Sequence, residues 1–127
     1  MFANCSLLTT VDVSNWNTEN VTSMSNIFGE CYVLNNIDVS NWNTSKVTNM
    51  ANMFTRCRAL SYLNVSNWDT SKVTTLKGMF ISAWQLSIDG LENWDTSNVT
   101  DMTSLFYNAN KIITTQTLPS WDTSNVL

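Results

Sequence analysis

Apolar residues recur along this chain at a fixed interval rather than in isolated blocks. Phe2, Phe28, Phe54, Phe80 and Phe106 stand 26 residues apart without exception. Trp16, Trp42, Trp68 and Trp94 keep the same interval, and Trp121 follows after 27. Val21, Val47, Val73, Val99 and Val126 each trail one of these Trp residues by five, and Leu8, Leu34, Leu60, Leu86 and Ile112 each follow a Phe by six. Cys5, Cys31 and Cys57 occupy a further column, which continues as Ala83 and Ala109. Self-similarity at a period of this size marks stacked supersecondary units.

The spacing inside one unit predicts two halves. Val47, Met50, Met53, Phe54 and Cys57 fall at the intervals of one helical face, which predicts a short helix. Thr44, Ser45 and Thr48 stand where they could accept bonds from amides of its first turn. In Leu60–Val65 the alternation predicts a short strand with Leu63 and Val65 inward and Tyr62, Asn64 and Ser66 outward. Asn and Ser punctuate the corner that follows. A unit of 26 residues cannot bury its apolar stripe alone, so neighbours must stack. The expected fold class is an α/β repeat solenoid of about five rungs over residues 1–127, each with one short parallel strand and one short helix. Like residues then form ladders, and an Asn column at Asn15, Asn41, Asn67 and Asn93 is expected to satisfy backbone groups at the corners.

Two places depart from the unit. In the fourth repeat Asp89 falls in the column of Val11, Ile37 and Leu63, so Ile88 is expected to turn inward through a small bulge. In the fifth, one extra residue lies between Ile112 and Trp121, and Pro119 replaces the Ser column. Sequence drift and the start of a capping unit both account for this, and the return to Trp-Asp-Thr-Ser-Asn-Val favours drift. Met1 and Phe2 already sit mid-unit, and neither terminus supplies a polar cap, so the chain reads as a fragment of a longer one.

Composition narrows the chemistry. Asn, Thr and Ser supply 50 of the 127 residues, only 13% are charged, and there is no His. Imidazole-based catalysis and His-containing zinc sites are thereby excluded. A net charge of −4 argues against a dedicated nucleic-acid binder. No apolar run is long enough to cross a bilayer as a helix.

Each chemical candidate competes with a plainer reading. The Cys column also accepts Ala, which marks a slot for a small buried group rather than a disulfide or metal ligand. Phe and Trp ladders resemble a carbohydrate platform, but fixed repeat slots suit core and corner packing better. Tyr32, Arg58 and Trp84 share a variable column and would line an exposed ridge on the helix side. On the strand side Asp12, Asp38 and Asn64 form an outward column, flanked by Thr10, Asn36 and Tyr62. Stacked carboxylates would repel, which a cation could relieve, yet the segment Asp12–Asn17 lacks the Gly and Glu of a calcium loop. No phosphate-cradling Gly-rich loop is present. The expectation is no enzyme, no metal and no cofactor.

The extended unit V-T-x-M-x-x-M-F-x-x-C-x-x-L-x-x-L-x-V-S-N-W-D-T-S resembles the BspA-like surface proteins, whose repeats recur in mycoplasma lipoproteins. Its L-x-x-[LIV]-x-V-S-N-W core, at Leu34–Trp42 and Leu60–Trp68, is similar to the leucine-rich repeat, with Trp where that consensus has Asn or Cys. The resemblance covers essentially the whole chain. It implies a cell-surface or secreted, non-catalytic adhesion module that recognises a protein or glycan. The strand face, with Asp12, Asn36, Asp38, Tyr62 and Asn64, is the expected binding surface. The competing reading is structural: a segment of a surface layer, filament or large assembly that associates with itself through uncapped ends.

Overall fold

Phe28 stacks on Phe54 at 5.8 Å between ring centroids, and Phe54 stacks on Phe80 at 6.1 Å. Trp42 and Trp68 lie 6.4 Å apart and 1° from parallel. Residues one repeat apart are therefore spatial neighbours, and each repeat is one rung of a stack. The computed structural model describes residues 2–115 and 119–127. The side chains of Phe28, Phe54, Phe80, Leu34, Leu60 and Leu86 are fully buried in the single apolar spine that runs through the rungs. Burying each such side chain contributes about 1.5–3 kcal/mol.

On one side the rungs pair as parallel strands. β1, Tyr62–Asn64, pairs with β2, Ser87–Asp89, with Leu63 opposite Ile88. Thr10 and Asn36 make a single parallel bridge on the same side. As the alternation requires, Leu63 and Val65 are buried and Tyr62 is exposed. A second parallel ladder runs elsewhere in the rung through Ser23, Asn49, Thr75 and Asp101.

The segment expected to be helical is a ladder of turns. The amides of Met53, Thr55 and Cys57 bond to the carbonyls of Met50, Asn52 and Phe54, three residues back. The intervening amides leave the rung: Met50, Asn52, Phe54 and Arg56 donate to Thr75, Lys77, Met79 and Ile81. Leu76, Gly78, Phe80 and Ser82 repeat this one rung on, donating to Asp101, Thr103, Leu105 and Tyr107. Asn52 and Arg56 have φ of 56° and 57°, and Asn26, Glu30, Gly78, Ser82, Ser104 and Asn108 repeat that left-handed conformation in register. A left-handed residue every fourth position stops a right-handed helix from propagating. Turns that close over three residues also return a side chain inward every three or four positions, which is why the apolar spacing mimics a helical face. Thr44, Ser45 and Thr48 accordingly cap no helix. Their hydroxyls donate to Asp69 O, Asn43 Oδ1 and Thr22 O respectively.

Among the described residues the one α-helix, α1, spans Asn110–Thr115 and buries Ile112 where the other rungs place a Leu. It lies on the strand side of its rung, opposite to expectation. Residues 116–118, within the stretch that carries the extra residue of the fifth repeat, and Met1 lie outside the described residues.

The fourth repeat contains the bulge. Its strand is one residue ahead of the 26-residue columns, since Ile88 faces Leu63 across 25 positions. Because strand side chains alternate, this slip buries Ile88 and turns Asp89 out to solvent. Gly90, at φ 98°, restores the register, and a short 3-10 turn over Leu91–Asn93 follows it.

Candidate functional site

The corners of each rung are built by short polar side chains bonding to their own backbone. Asp12 Oδ1 accepts the Ser14 amide at 3.0 Å and the Ser14 hydroxyl at 2.6 Å, and Asp38 does the same with Ser40 at the same two distances. Asn64 accepts the Ser66 amide at 3.0 Å. The serine hydroxyls first, and the serine amides second, hold the Asp12 and Asp38 carboxyls below the usual carboxylate range. The opposing effect of Asp12 on Asp38 is the least of the causes acting there. Serine donors, within each rung, thus stabilise the stacked charges that sequence reasoning expected to repel. Each carboxylate keeps its second oxygen, Oδ2, for other partners.

These residues converge. Asn36, Ile37, Asp38, Ser40, Tyr62 and Asn64 line one open depression of about 380 Å³. Thr10, Val11, Asp12, Val13, Asn36, Ile37 and Asp38 line a second of about 290 Å³. Asn36, Ile37 and Asp38 belong to both, so all five strand-face residues, Asp12, Asn36, Asp38, Tyr62 and Asn64, border one continuous surface. Val11, Val13 and Ile37 share its lining with amide, hydroxyl and carboxylate groups. The surface offers hydrogen-bond donors and acceptors.

Asp89 extends this surface and was not foreseen. Its Oδ2 accepts the Tyr62 hydroxyl at 2.7 Å, which pushes the phenol above its ordinary pKa, with slight burial and the Asp89 charge adding to the effect. Column counting places Asp89 among inward residues, and only the slip of β2 brings it out. The pair Ile88 and Gly90 is the signal that marks the slip.

The motif W-[ND]-T-S acquires a physical role at the opposite corner. Thr18, Thr44, Thr70 and Thr96 are buried, and their hydroxyls donate to the carbonyls of Asn43, Asp69, Asp95 and Asp122 in the next rung at 2.9–3.0 Å. The side chains of Asn67 and Asn93 donate to Ser40 O and Ser66 O, as expected of the Asn column. The indoles of Trp42, Trp68 and Trp121 donate back to Val13 O, Val39 O and Leu91 O. Trp94 is buried with Nε1 unpartnered. By the interval in the preceding rungs its acceptor would be Val65 O, beside the bulge.

The remaining candidates divide. Cys5, Cys31 and Cys57 are free thiols. Cys31 and Cys57 donate to Phe2 O and Phe28 O at 3.1 and 3.2 Å, and burial raises the pKa of both. Buried, protonated thiols are poor nucleophiles and metal ligands. Among the described residues no three Cys, Asp or Glu side chains are grouped to hold a metal ion. Tyr32, Arg58 and Trp84 do meet on the outer surface, with the Arg58 guanidinium 5.0 Å from the Tyr32 ring centre and 4.8 Å from that of Trp84. An apolar depression of about 570 Å³, with Trp16, Val21, Met24, Ile27 and Trp42 in its lining, lies at the first rungs. No described helix is long and apolar enough to cross a membrane.

The model of the family described as "Mycoplasma protein of unknown function, DUF285" matches residues 1–90 and again 75–127. The two matches together span the chain, which belongs to this BspA-like family. No curated protein and no solved structure matches it.

Proposed function

We propose that this member of the DUF285 family is a non-catalytic binding module of a cell or particle surface, an adhesin-type segment that recognises a protein or glycan. We read its stacked rungs as a repeat solenoid of leucine-rich-repeat type, with a ladder of turns where an α/β unit would place its helix, and with its strand face as the recognition surface. The observation that carries this reading is the joining of Asp12, Asn36, Asp38, Tyr62 and Asn64 around two adjoining depressions. Extended, regularly spaced polar surfaces are what stacked repeats present to partners. The Asx–Ser corners hold the carboxylates in place before any ligand arrives, so less side-chain freedom is lost on binding.

The test is capture of the chain on arrays of extracellular-matrix proteins and of glycans, with Asp38→Lys/Tyr62→Ala alongside. Both side chains are exposed and the variant should keep the native circular dichroism. Support is an array partner bound by the wild type and lost by the double variant. Undiminished binding by the double variant removes the strand face as the site, and no partner on either array counts against the adhesin reading itself.

A further inference from the structure

The ridge formed by Tyr32, Arg58 and Trp84 lies outside the strand-face surface and carries its own chemistry. Three successive rungs contribute one residue each, at 26-residue spacing. The guanidinium of Arg58 lies between two rings, 5.0 Å from Tyr32 and 4.8 Å from Trp84. Aromatic faces attract the cation and cover its flat sides, leaving the donor-bearing edge toward solvent.

The neighbouring acid is already committed. Glu30 accepts Arg56 Nη1 at 2.7 Å through Oε1 and the Tyr32 hydroxyl at 3.1 Å through Oε2. Glu30 thus neutralises Arg56 and anchors Tyr32 by its hydroxyl, and Arg58 makes no ion pair with any described carboxylate. A protein of net charge −4 therefore keeps one uncompensated, oriented cation on this ridge. Beside it, Trp84 is 44% exposed, a large apolar surface in reach of whatever the guanidinium holds.

We propose that this ridge is a second binding site, specific for a carboxylate-bearing sugar of the uronic or sialic acid type. A guanidinium edge matches the two oxygens of a carboxylate, forming parallel bonds that a neutral hydroxyl cannot replace. The exposed indole of Trp84 packs against sugar C–H groups, as aromatic surfaces do with apolar bodies that carry polar edges. A single cation suits a single acid group. A polyanion such as nucleic acid needs many cations and meets the net negative charge of the rest of the molecule. The site is independent of the strand face, and its variants leave Asp38 and Tyr62 untouched.

Sialyllactose and lactose serve as probes, titrated into the full chain while the indole N–H resonance of Trp84 is followed by NMR. Sialyllactose is expected to shift that resonance saturably at millimolar concentration, and lactose roughly tenfold more weakly or not at all. Arg58→Lys keeps the charge but loses the planar fork, so it should weaken sialyllactose about tenfold, while Asp38→Lys/Tyr62→Ala should leave binding unchanged. For Trp84→Ala, whose reporter is lost, calorimetry should show a similar weakening. The proposal is overturned by equal binding of lactose, by wild-type affinity in Arg58→Lys, or by no saturation up to about 20 mM. It is overturned as to ligand class if a Glu-rich peptide binds the ridge more tightly than sialyllactose. A lowered melting temperature in Arg58→Lys with unchanged binding would assign the sandwich to holding rungs together, and would also overturn it.

Discussion

The hydroxyl of Tyr62 donates to Oδ2 of Asp89 at 2.7 Å, joining the third rung to the slipped strand of the fourth. Bonding to a carboxylate favours the protonated phenol, so Tyr62 holds its proton more tightly when folded than when unfolded. Stability from this pair is present below the ordinary phenol pKa, near 10, and is lost as pH rises through the raised folded value. Ultraviolet titration should show a late phenol ionisation in the wild type that moves to lower pH in Asp89→Asn. Superimposable titrations would mean the bond is not kept in solution.

Gly90 is the residue that allows this slip. At φ 98° an added Cβ would lie 2.3 Å from both Cα and N of Ser66, a backbone that cannot move aside cheaply. Gly90→Ala should therefore lose about 3 kcal/mol or more in urea unfolding. Gly29→Ala is the comparison. Its new Cβ meets nothing closer than 3.2 Å and its φ is unexceptional, so about 1 kcal/mol or less is expected. Equal losses would show that the bulge does not depend on glycine.

Two tryptophans in the same column should respond differently to loss of the indole nitrogen. Trp68 Nε1 donates to Val39 O at 3.0 Å, whereas Trp94 Nε1 is buried with no partner. Both changes to Phe shrink the ring, but only Trp68→Phe removes a hydrogen bond, since Val39 O then keeps the Trp42 amide alone. Trp94→Phe removes a buried donor that had no partner. Trp68→Phe should cost about 1 kcal/mol more than Trp94→Phe. The reverse order in denaturant melts would refute the assignment.

The buried threonine column gives a similar test with nearly constant volume. Thr44→Val deletes the donor to Asp69 O at 2.9 Å and leaves that carbonyl without it. A loss of about 1–3 kcal/mol is expected, against a few tenths at most for the exposed Thr48→Val. Thr48 also donates, to Thr22 O at 3.2 Å, but water can take its place there.

Acid should act through the Asx corners. The hydroxyls of Ser71 and Ser97 first, and their amides second, hold Asp69 and Asp95 below the ordinary carboxylate pKa. At Asp122 the Ser124 amide leads. For groups depressed in this way the stability is present above the unfolded value, near 3.9, and is lost as pH falls through the folded ones. The urea midpoint should decline below about pH 4. Asp69→Asn/Asp95→Asn should flatten that decline without disturbing the corner, since Asn43 already takes the Ser45 amide and hydroxyl in the same column. An unchanged pH profile would place the acid sensitivity elsewhere.

Much of the candidate surface was legible because strand alternation is a strict rule. Once Leu63 and Val65 are inward, Tyr62 and Asn64 must be outward, and the 26-residue interval carries the same reading to Asp12 and Asp38. Asp89 was missed as a site residue although the inward turn of Ile88 was legible. Only the pairing of Ser87 with Tyr62 shows that Asp89 stands opposite Asn64 on the outer face, where it meets the Tyr62 hydroxyl. The sandwich at Arg58 was legible as a column and not as a contact, because rotamers decide whether neighbours on adjacent rungs touch.

The sequence by itself determined the period, the identity of every core column and the faces of the strands. Each follows from apolar residues that must be buried and from neighbours that repeat the same demand. It did not determine where the backbone amides go. Met50, Asn52, Phe54 and Arg56 could have closed a helix on themselves, with apolar spacing to match. Only in the stack does the neighbouring rung place the carbonyls of Thr75, Lys77, Met79 and Ile81 within reach. The left-handed turns at Asn52 and Arg56 then aim alternate amides at them, and every donor is satisfied without a helix.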